Sequence, residues 1–252
     1  MDGIKIQNSI LHGDCIEVMP AIPDKCIDMI LCDLPYGITA NKLDIIIPFE
    51  SLWNQYERII KDNGAIVLTA SQPFTSVLIM SNLRLFKYTW VWNKINRISN
   101  HLNANKQPLR ITEDVCIFYK RQPTYNPQMN HWDPYVSISS GNKSVNYGKQ
   151  KDKVKTVNNG KYYPVNLISI KADNRKYEGR LHPNQKSIAF LQYFIQTYTN
   201  EDDLILDNCC GSGSTGVAAY YLKRRCIMID KDKKCCTIAE WRLKEINDEI
   251  LL

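Results

Sequence analysis

The sequence predicts an α/β fold in which a doubly wound, mainly parallel sheet carries helices on both faces. Short apolar runs of strand length alternate along the chain with segments whose apolar residues recur at helical spacing. Several of these runs stop abruptly at loops that contain Asp, Pro or Gly. The 252 residues suffice for one large domain with a small inserted module, but not for a second enzyme.

The first part of the chain, residues 1–120, supplies strands and two helices. Strands are predicted at residues 9–12, 26–32, 65–68, 88–92 and 115–119. Apolar residues recur at helical spacing from Phe49, and Asp62-Asn63-Gly64 is a typical signal for a helix C-terminus, so we expect an amphipathic helix that ends there. Pro73 lies where a second helix could begin.

The composition changes after Lys120. Residues 121–180 contain eleven Lys or Arg and four Asp or Glu, a net charge of +7, whereas the whole chain carries +6. Basic charge is therefore concentrated in this segment, as binding to a polyphosphate requires. Seven Tyr or Trp residues are interspersed, and they could either stack on bases or anchor a small irregular subdomain. We predict an insert at 121–180 between the two parts of a main domain, 1–120 and 181–252.

Regular alternation resumes after the insert. The helical spacing of five apolar residues predicts one helix: Ile188, Leu191, Phe194, Ile195 and Tyr198. Strands are predicted at 204–206 and 226–230, with a short helix of small residues at 217–219 between them.

A glycine-rich loop follows the strand at 204–206. Gly211 and Gly213 lack Cβ atoms, so the backbone can turn tightly and approach a ligand at the edge of the sheet. The next strand ends in Asp230, whose carboxylate could accept hydrogen bonds from a ribose diol. A dinucleotide is a weaker alternative, because the usual three-glycine spacing is met only loosely and nothing else in the chain suggests nicotinamide chemistry.

A second strand ends in Asp33-Leu34-Pro35-Tyr36. The exocyclic amino group of a nucleobase is a poor nucleophile, and it needs hydrogen-bond acceptors to polarise it. The Asp33 carboxylate and the Leu34 carbonyl could both accept from such a group, and Tyr36 offers a face on which a flipped base can stack. Without further support, a stiff turn that simply ends the strand would explain these residues equally well.

Three motifs in one order provide that support. Asp33-Leu34-Pro35-Tyr36, His182-Pro183-Asn184-Gln185-Lys186 and the Asp207–Thr215 loop together resemble the motifs of amino-group DNA methyltransferases. Because the catalytic motif precedes the cofactor loop, the chain is similar to the circularly permuted beta group. The resemblance implies a Rossmann-like fold, S-adenosylmethionine as cofactor, double-stranded DNA as substrate and a homodimer. It also implies that 121–180 is the target-recognition region.

The resemblance assigns roles residue by residue. Asp33, Leu34, Pro35 and Tyr36 would form the catalytic motif at the target base. The implied cofactor contacts are Asp207, Cys209, Gly211 and Gly213 at the methionine end, Asp230 at the ribose, Asp14 and Cys15 at the adenine, and Lys186 and Ser187 at the carboxylate. DNA contacts are expected from basic residues of the insert, namely Lys143, Lys149, Lys151, Lys153, Lys161 and Arg175.

The sequence departs from the family pattern at three places. Leu34 replaces the usual proline, which keeps the accepting carbonyl but gives up one rigid φ angle. Cys209 stands where an aromatic residue is common. Asn184 and Ser187 replace Thr and Pro in the helix-entry motif, which weakens the role of Ser187 more than that of Lys186.

The leading acidic residue of the catalytic motif favours N6 of adenine by analogy with the family, and N4 of cytosine is the closest competitor. Protein-glutamine and RNA methyltransferases place the cofactor loop first, so the order counts against them. A non-catalytic nucleic-acid-binding protein with this fold is a further alternative.

The remaining composition excludes other classes of protein. The nine cysteines and four histidines match no zinc-site spacing, so no metal is predicted. No apolar run approaches the length of a membrane span, and the first residues lack a signal-peptide pattern, so we expect a cytoplasmic protein.

Overall fold

The computed structural model describes residues 9–38, 44–138, 155–173 and 185–250, with side chains as far as Ile246. The chain divides into two compact units. One comprises Met1–Asn126 and Asn166–Leu252, and the other comprises Pro127–Val165. Within the described ranges, none of the helices has both the length and the apolar character needed to cross a membrane.

Twelve strands and six helices lie within the described residues. The strands are β1 (Ser9–His12), β2 (Ile27–Asp33), β3 (Ile60–Ala70), β4 (Phe86–Asn93), β5 (Thr112–Phe118), β6 (Asn130–His131), β7 (Tyr135–Ile138), β8 (Lys155–Asn158), β9 (Lys161–Tyr162), β10 (Leu167–Ser169), β11 (Leu204–Asp207) and β12 (Arg225–Asp230). The helices are α1 (Cys15–Val18), α2 (Phe49–Ile59), α3 (Phe74–Ser81), α4 (Ile188–Tyr198), α5 (Ser214–Tyr221) and α6 (Lys233–Ile250).

Eight strands form the central sheet, in the order β1-β12-β11-β2-β3-β5-β4-β10. Every neighbouring pair is parallel except those made by β5, which is antiparallel to both β3 and β4. The predicted mainly parallel sheet is therefore confirmed. Leu206 of β11 pairs with Ile30 of β2, so the loops that follow these two strands leave the same edge side by side. In open α/β sheets such an edge is where ligands bind.

Helices cover both faces of this sheet, as predicted. Alternate residues of β2 point to opposite faces, so Ile30 packs in a core with Trp53 and Tyr56 of α2, while Leu31 packs in a second core with Phe190 of α4. The second core also takes in residues of α5 and α6. Both cores consist of buried, mainly apolar side chains, one on each face of the sheet.

The expected C-terminal cap at Asp62-Asn63-Gly64 is wrong. Helix α2 ends at Ile59, and β3 begins at the next residue because Ile60 pairs with Ile27 of β2. A Cβ at position 64 would meet the carbonyl oxygen of Asp28 at 2.8 Å and the Ile60 side chain at 2.7 Å. Gly64 therefore serves close strand packing inside β3 rather than the end of a helix.

The second unit contains two small antiparallel sheets, β6 with β9 and β7 with β8. The ring of Tyr162 packs against Trp132, with ring centroids 5.0 Å apart, and against Tyr135 at 5.8 Å. These aromatic residues thus contribute to the packing of the unit itself. The unit is shorter than the segment 121–180, since β10 at Leu167–Ser169 is an edge strand of the central sheet beside β4.

Candidate active site

A cavity of about 650 Å³ opens at the carboxyl ends of the parallel strands. Eleven of the thirteen predicted catalytic and cofactor-binding residues line it, namely Asp14, Cys15, Asp33, Leu34, Pro35, Tyr36, Lys186, Asp207, Cys209, Gly211 and Asp230. The volume lies within the range of small-molecule and cofactor sites. Two loops that are about 175 residues apart in sequence thus form one site, as parallel strand ends require.

Asp33 is the last residue of β2, and the chain turns so that Tyr36 reaches back to it. The Tyr36 hydroxyl donates a hydrogen bond of 2.6 Å to Oδ1 of Asp33, and the Thr69 hydroxyl at the end of β3 donates to the same oxygen. The Tyr36 ring is stacked on Phe74, with centroids 5.1 Å apart. Burial and the Asp33 carboxylate raise the pKa of Tyr36, so the hydroxyl stays a donor. Asp33 and Tyr36 are therefore held by each other.

A buried ionic network fixes Asp33 from the other side. The Lys186 ammonium lies 3.1 Å from Oδ1 of Asp33 and 2.7 Å from Oε2 of Glu113. Lys94 forms an ion pair with the other oxygen of Glu113. Both ammonium groups lie over the indole ring of Trp92, 5.8 Å and 5.5 Å from its centroid. The network joins β2, β5, the end of β4 and the entry to α4.

The pKa shifts follow from this arrangement. Burial by itself would raise the pKa of Glu113, but Lys186 and Lys94 together lower it to about 2. Burial opposes the charge of Lys186, yet Asp33 and Glu113 outweigh it and raise the pKa of that lysine. Burial dominates at Lys94 and lowers its pKa. Glu113 is therefore an anion that two buried cations share.

The second loop is organised around Asp207 at the end of β11. Its Oδ2 accepts a hydrogen bond of 2.5 Å from the Thr215 hydroxyl, and its Oδ1 accepts one of 3.2 Å from the backbone N–H of Cys209. Burial raises the pKa of Asp207 to about 7, although these hydrogen bonds oppose the shift. Asp207 can therefore change its charge near neutral pH when a ligand enters the cavity.

Asp230, at the end of β12, holds the glycine loop in place. One carboxylate oxygen accepts a hydrogen bond of 2.8 Å from the N–H of Gly211, and the other accepts one of 2.8 Å from the N–H of Asp232. Gly211 has a φ of +51°, in the left-handed region that favours glycine. Each carboxylate oxygen retains a lone pair, so Asp230 can also accept from a ligand hydroxyl.

Asp14 and several cysteines, among them Cys15, Cys32 and Cys209, also line the cavity. Oδ1 of Asp14 caps α1 by accepting from the N–H of Ile16 at 2.9 Å. Contacts with Cys209 and burial raise the pKa of Cys15, and burial raises that of Cys32 to about 12. These thiols are therefore neutral, and this part of the wall is weakly polar.

Two predicted cofactor residues do not line the cavity. Ser187 is buried at the start of α4. Gly213 has a φ of +76°, and a Cβ at this position would meet the Cβ of Ala239 in α6 at 2.6 Å. The physical reason for Gly213 is thus the close packing of α5 on α6.

Only one of the predicted DNA-binding residues lies within the part of the chain that the structure describes. Lys161 is exposed in β9 of the second unit. The others, Lys143, Lys149, Lys151, Lys153 and Arg175, lie outside the described residues.

Glu113, Lys94 and Thr69 also contribute to the site, and none of the three was predicted. Thr69 could have been found, because it directly follows the predicted strand at 65–68, which pairs with the strand that carries Asp33. Glu113 lies at the start of β5, and it reaches the site only because β5 runs antiparallel to its neighbours. A charged residue just before an apolar strand was the only signal in the sequence.

Comparison with known proteins decides the family. Residues 27–241 match the N6/N4 methyltransferase family, described as DNA methylase. The chain belongs to this family. It is 29% identical to the Type II methyltransferase M.HinfI of Haemophilus influenzae, over 95% of this chain and 69% of that protein. It is also 29% identical to the Type II methyltransferase M2.LlaDCHI of Lactococcus lactis subsp. cremoris, over 95% of this chain and 90% of that protein.

Solved structures agree with the fold. The crystal structure of the M1.HpyAVI–SAM complex superposes with a TM-score of 0.63 at 23% identity, covering 93% of this chain and 98% of that one. The PvuII DNA methyltransferase, which is cytosine-N4-specific, superposes with a TM-score of 0.67 at 17% identity, covering 93% and 85%. The predicted Rossmann-like methyltransferase fold is confirmed.

The DNA methylase transfers a methyl group from S-adenosylmethionine to an amino group of a base in DNA. The cavity fits such a cofactor by its chemistry. Carboxylates at Asp14, Asp207 and Asp230 suit a ligand with hydroxyl groups and positive charge, and the neutral thiols of Cys15 and Cys209 suit a thioether chain. The predictions of the family and of the cofactor are therefore confirmed.

Proposed function

We propose that this DNA methylase methylates N6 of adenine in double-stranded DNA, by direct transfer to a base turned out of the helix. The observation that carries the proposal is the position of the Asp33 carboxylate and the Leu34 backbone on the wall of the cavity, beside the Asp207 loop. A base in this position would have its amino group between the polarising acceptors and the methyl donor.

The Asp33 carboxylate and the Leu34 carbonyl would each accept a hydrogen bond from one hydrogen of the amino group. Oδ1 of Asp33 is engaged by Tyr36, Thr69 and Lys186, whereas Oδ2 has no side-chain partner within the described ranges. The three contacts to Oδ1 therefore fix the orientation of the carboxylate, and Oδ2 is available to accept a hydrogen bond from one amino hydrogen. The Leu34 carbonyl takes the other hydrogen, and Pro35 limits the backbone freedom of that carbonyl. S-adenosylmethionine would supply the methyl group, its sulfonium–methyl bond breaking as the N–C bond forms and leaving a neutral thioether. The amino group would then lose a proton, which Asp33 is placed to accept.

Tyr36 provides the platform for the base. Phe74 covers one face of its ring, and Tyr36 itself lines the cavity. A flipped base stacked on the exposed part of Tyr36 would extend this aromatic stack. Because the Tyr36 hydroxyl is bonded to Asp33, the ring and the carboxylate keep a fixed relative position.

The cofactor roles follow the chemistry of the wall. S-adenosylmethionine supplies a methyl group bound to a sulfonium centre. We assign Asp230 to the ribose hydroxyls, Asp14 and Cys15 to the adenine end, and Asp207, Cys209 and Gly211 to the methionine end. Lys186 is assigned to Asp33 and Glu113, because both carboxylates already hold its ammonium group.

Adenine is proposed as the target because the catalytic motif begins with an acidic residue, which in this family is associated with adenine. The same two acceptors would polarise N4 of cytosine, so that base is the alternative outcome of the test. The unit Pro127–Val165, with exposed Lys161, is proposed to recognise the target sequence. A homodimer and a cytoplasmic location stay predictions, which sedimentation and cell fractionation would test.

The proposal is tested with purified protein, S-adenosylmethionine carrying a labelled methyl group, and unmethylated duplex DNA. Digestion to nucleosides and mass spectrometry are expected to find the label in N6-methyldeoxyadenosine. Label in N4-methyldeoxycytidine would move the assignment to cytosine, and label in neither would overturn the proposal. Asp33→Ala is the matched control, since it should abolish transfer and leave the affinity for the cofactor, measured by calorimetry, nearly unchanged.

A further inference from the structure

The loop between β4 and β5 has an unusual composition for a connection in this chain. Residues 94–111 contain four Lys or Arg, four Asn and no Asp or Glu. They also contain Ile95, Ile98, Leu102 and Leu109, each of which is exposed. Exposed apolar residues that occur singly need no explanation, but four within one basic loop indicate a surface that contacts a partner.

This loop leaves the sheet at the active-site edge. Because β5 is antiparallel to both β3 and β4, the strands β3 and β4 run in the same direction and end at the edge where Asp33 lies. The base of the loop forms part of the cavity wall through Lys94, Arg97, Ser99 and Arg110. A DNA duplex that delivers a base to Asp33 would therefore lie close to the loop.

Leu102 lies fully exposed at the tip of the loop, although the tip itself is hydrogen-bonded internally. Ser99 and Arg110 exchange two backbone hydrogen bonds of 2.8 Å and 3.1 Å, which close residues 100–109 into a separate lobe. The backbone N–H groups of Asn103, Lys106 and Gln107 bond within this lobe, and Asn103 donates a side-chain bond of 2.7 Å to Asn100. Leu102 nevertheless has a relative exposure of 100%. The lobe is thus internally bonded, and its leucine contributes nothing to the folded core.

The backbone where the loop begins is also unusual. Ile95 has a φ of +60°, a conformation that β-branched residues rarely adopt, and its N–H is held by the Asn93 side chain at 3.0 Å. Asn96 exchanges two side-chain hydrogen bonds with Ala172, of 3.0 Å and 3.1 Å, just beyond β10. Such strain persists where the surrounding structure imposes it, and it is common at functional sites.

We propose that this loop enters the DNA duplex beside the target base, with Leu102 as an apolar wedge between bases and the basic residues facing phosphates. This inference rests on the proposed function. Apolar side chains of this kind separate base steps in proteins that deform DNA, and a wedge would lower the free energy of turning the target base out. The absence of acidic residues from 94–111 matches a polyanionic partner.

The test uses all 252 residues of the chain and a duplex with the sequence motif that the wild-type enzyme methylates. One duplex is fully paired, and the other has an abasic site opposite the target base, which is therefore unpaired from the start. Leu102→Ala should lower kcat/KM on the paired duplex by about tenfold or more relative to wild type. On the abasic duplex the kcat/KM of the variant should differ from that of wild type by less than about threefold. Its affinity for S-adenosylmethionine should stay unchanged.

Leu83→Ala is the matched control, because Leu83 is an exposed leucine just before β4, at the opposite edge of the sheet. It should behave as wild type on both duplexes. If Leu102→Ala methylates the paired duplex at the wild-type rate, or loses the same factor on both duplexes, the wedge is overturned while the proposed function stands. A wild-type chain that methylates no DNA overturns the proposed function and the wedge together.

Discussion

The ammonium group of Lys186 lies 3.1 Å from the Asp33 carboxylate, although 153 positions separate the two residues in the sequence. Resemblance to the family assigned Lys186 to the carboxylate of the cofactor. From its contacts with Asp33 and, at 2.7 Å, with Glu113, we propose instead that Lys186 is a positioning residue for the catalytic motif. The two roles predict different kinetics.

Lys186→Met should lower kcat about 100-fold or more and change the Kd of S-adenosylmethionine by less than about threefold. Methionine fills a similar volume but cannot orient Asp33. Single-turnover methylation and calorimetry measure the two quantities, and Lys244→Met, at an exposed position of α6, is the control. If a rise in the Kd of S-adenosylmethionine accounted for the whole loss of activity, Lys186 would instead be a cofactor-binding residue.

Glu113→Gln should destabilise the fold by about 3–5 kcal/mol, because it leaves the buried cations Lys94 and Lys186 without their shared anion. The folded state lowers the pKa of Glu113 from 4.5 to about 2, so its contribution is complete above pH 4.5 and is lost as the pH falls toward 2. Urea unfolding should therefore show a deficit that is constant near neutral pH and shrinks in acid.

The control for this measurement is Glu57→Gln, which removes a partly exposed ion pair with Arg84 and should cost no more than about 1 kcal/mol. Equal deficits for the two variants, or a Glu113→Gln deficit that persists unchanged at the lowest pH, would contradict the account of the network.

Cofactor binding should depend on pH through Asp207. Burial raises the pKa of this carboxyl from 3.8 to about 7, so the folded chain holds a proton between these values that the unfolded chain releases. Without ligand, Asp207 thus makes the fold less stable as the pH rises through this window. A cationic ligand favours the ionised form, so the affinity for S-adenosylmethionine should rise toward pH 7, by at most about tenfold per pH unit.

Asp207→Asn cannot ionise and should bind the cofactor more weakly, with a flatter pH profile. Calorimetry between pH 5.5 and 8.5, in buffers of different ionisation enthalpy, would also count the proton that the wild type releases on binding below about pH 7. The assignment fails if the variant keeps the pH profile and proton release of the wild type.

Tyr36 should contribute mainly through its ring. Tyr36→Phe removes the hydrogen bond to Asp33 and is expected to lower kcat/KM by about tenfold or less. Tyr36→Ala also removes the stacking surface, and a further loss of about tenfold to 100-fold is expected. The fluorescence of 2-aminopurine at the target position would report the stacked, flipped base. Similar losses in both variants would argue against the stacking role.

Local sequence signals were sufficient for the two loops and for the main elements of the sheet. Asp33 and Asp207 each end an apolar run, and parallel pairing of β2 with β11 necessarily brings such ends together. The helix from Phe49 was also predicted, but Ile60 belongs to a strand because pairing with Ile27 outweighs its helical spacing. Periodicity alone does not tell which of two neighbouring elements takes a boundary residue.

Glu113 and Lys94 were not predicted, because their place in the site depends on how distant strands pair. Glu113 reaches Lys186 only through the antiparallel direction of β5, which an apolar run of strand length does not encode. The basic loop 94–111 was missed for a different reason. The loop carries a charge of +4, but acidic residues elsewhere offset it. The net charge of all residues outside 121–180 is therefore only −1, and the basic loop does not stand out.

The central claim is that Asp33 directs methyl transfer to N6 of adenine, and methylation in cells tests it most directly. The chain and its Asp33→Ala variant would be expressed in a bacterial host that lacks DNA methylation, and the genomic DNA read by modification-sensitive single-molecule sequencing. We predict N6-methyladenine at one short sequence motif with the wild type and none with the variant. Methylcytosine at the motif, or adenine methylation that survives Asp33→Ala, would contradict the account.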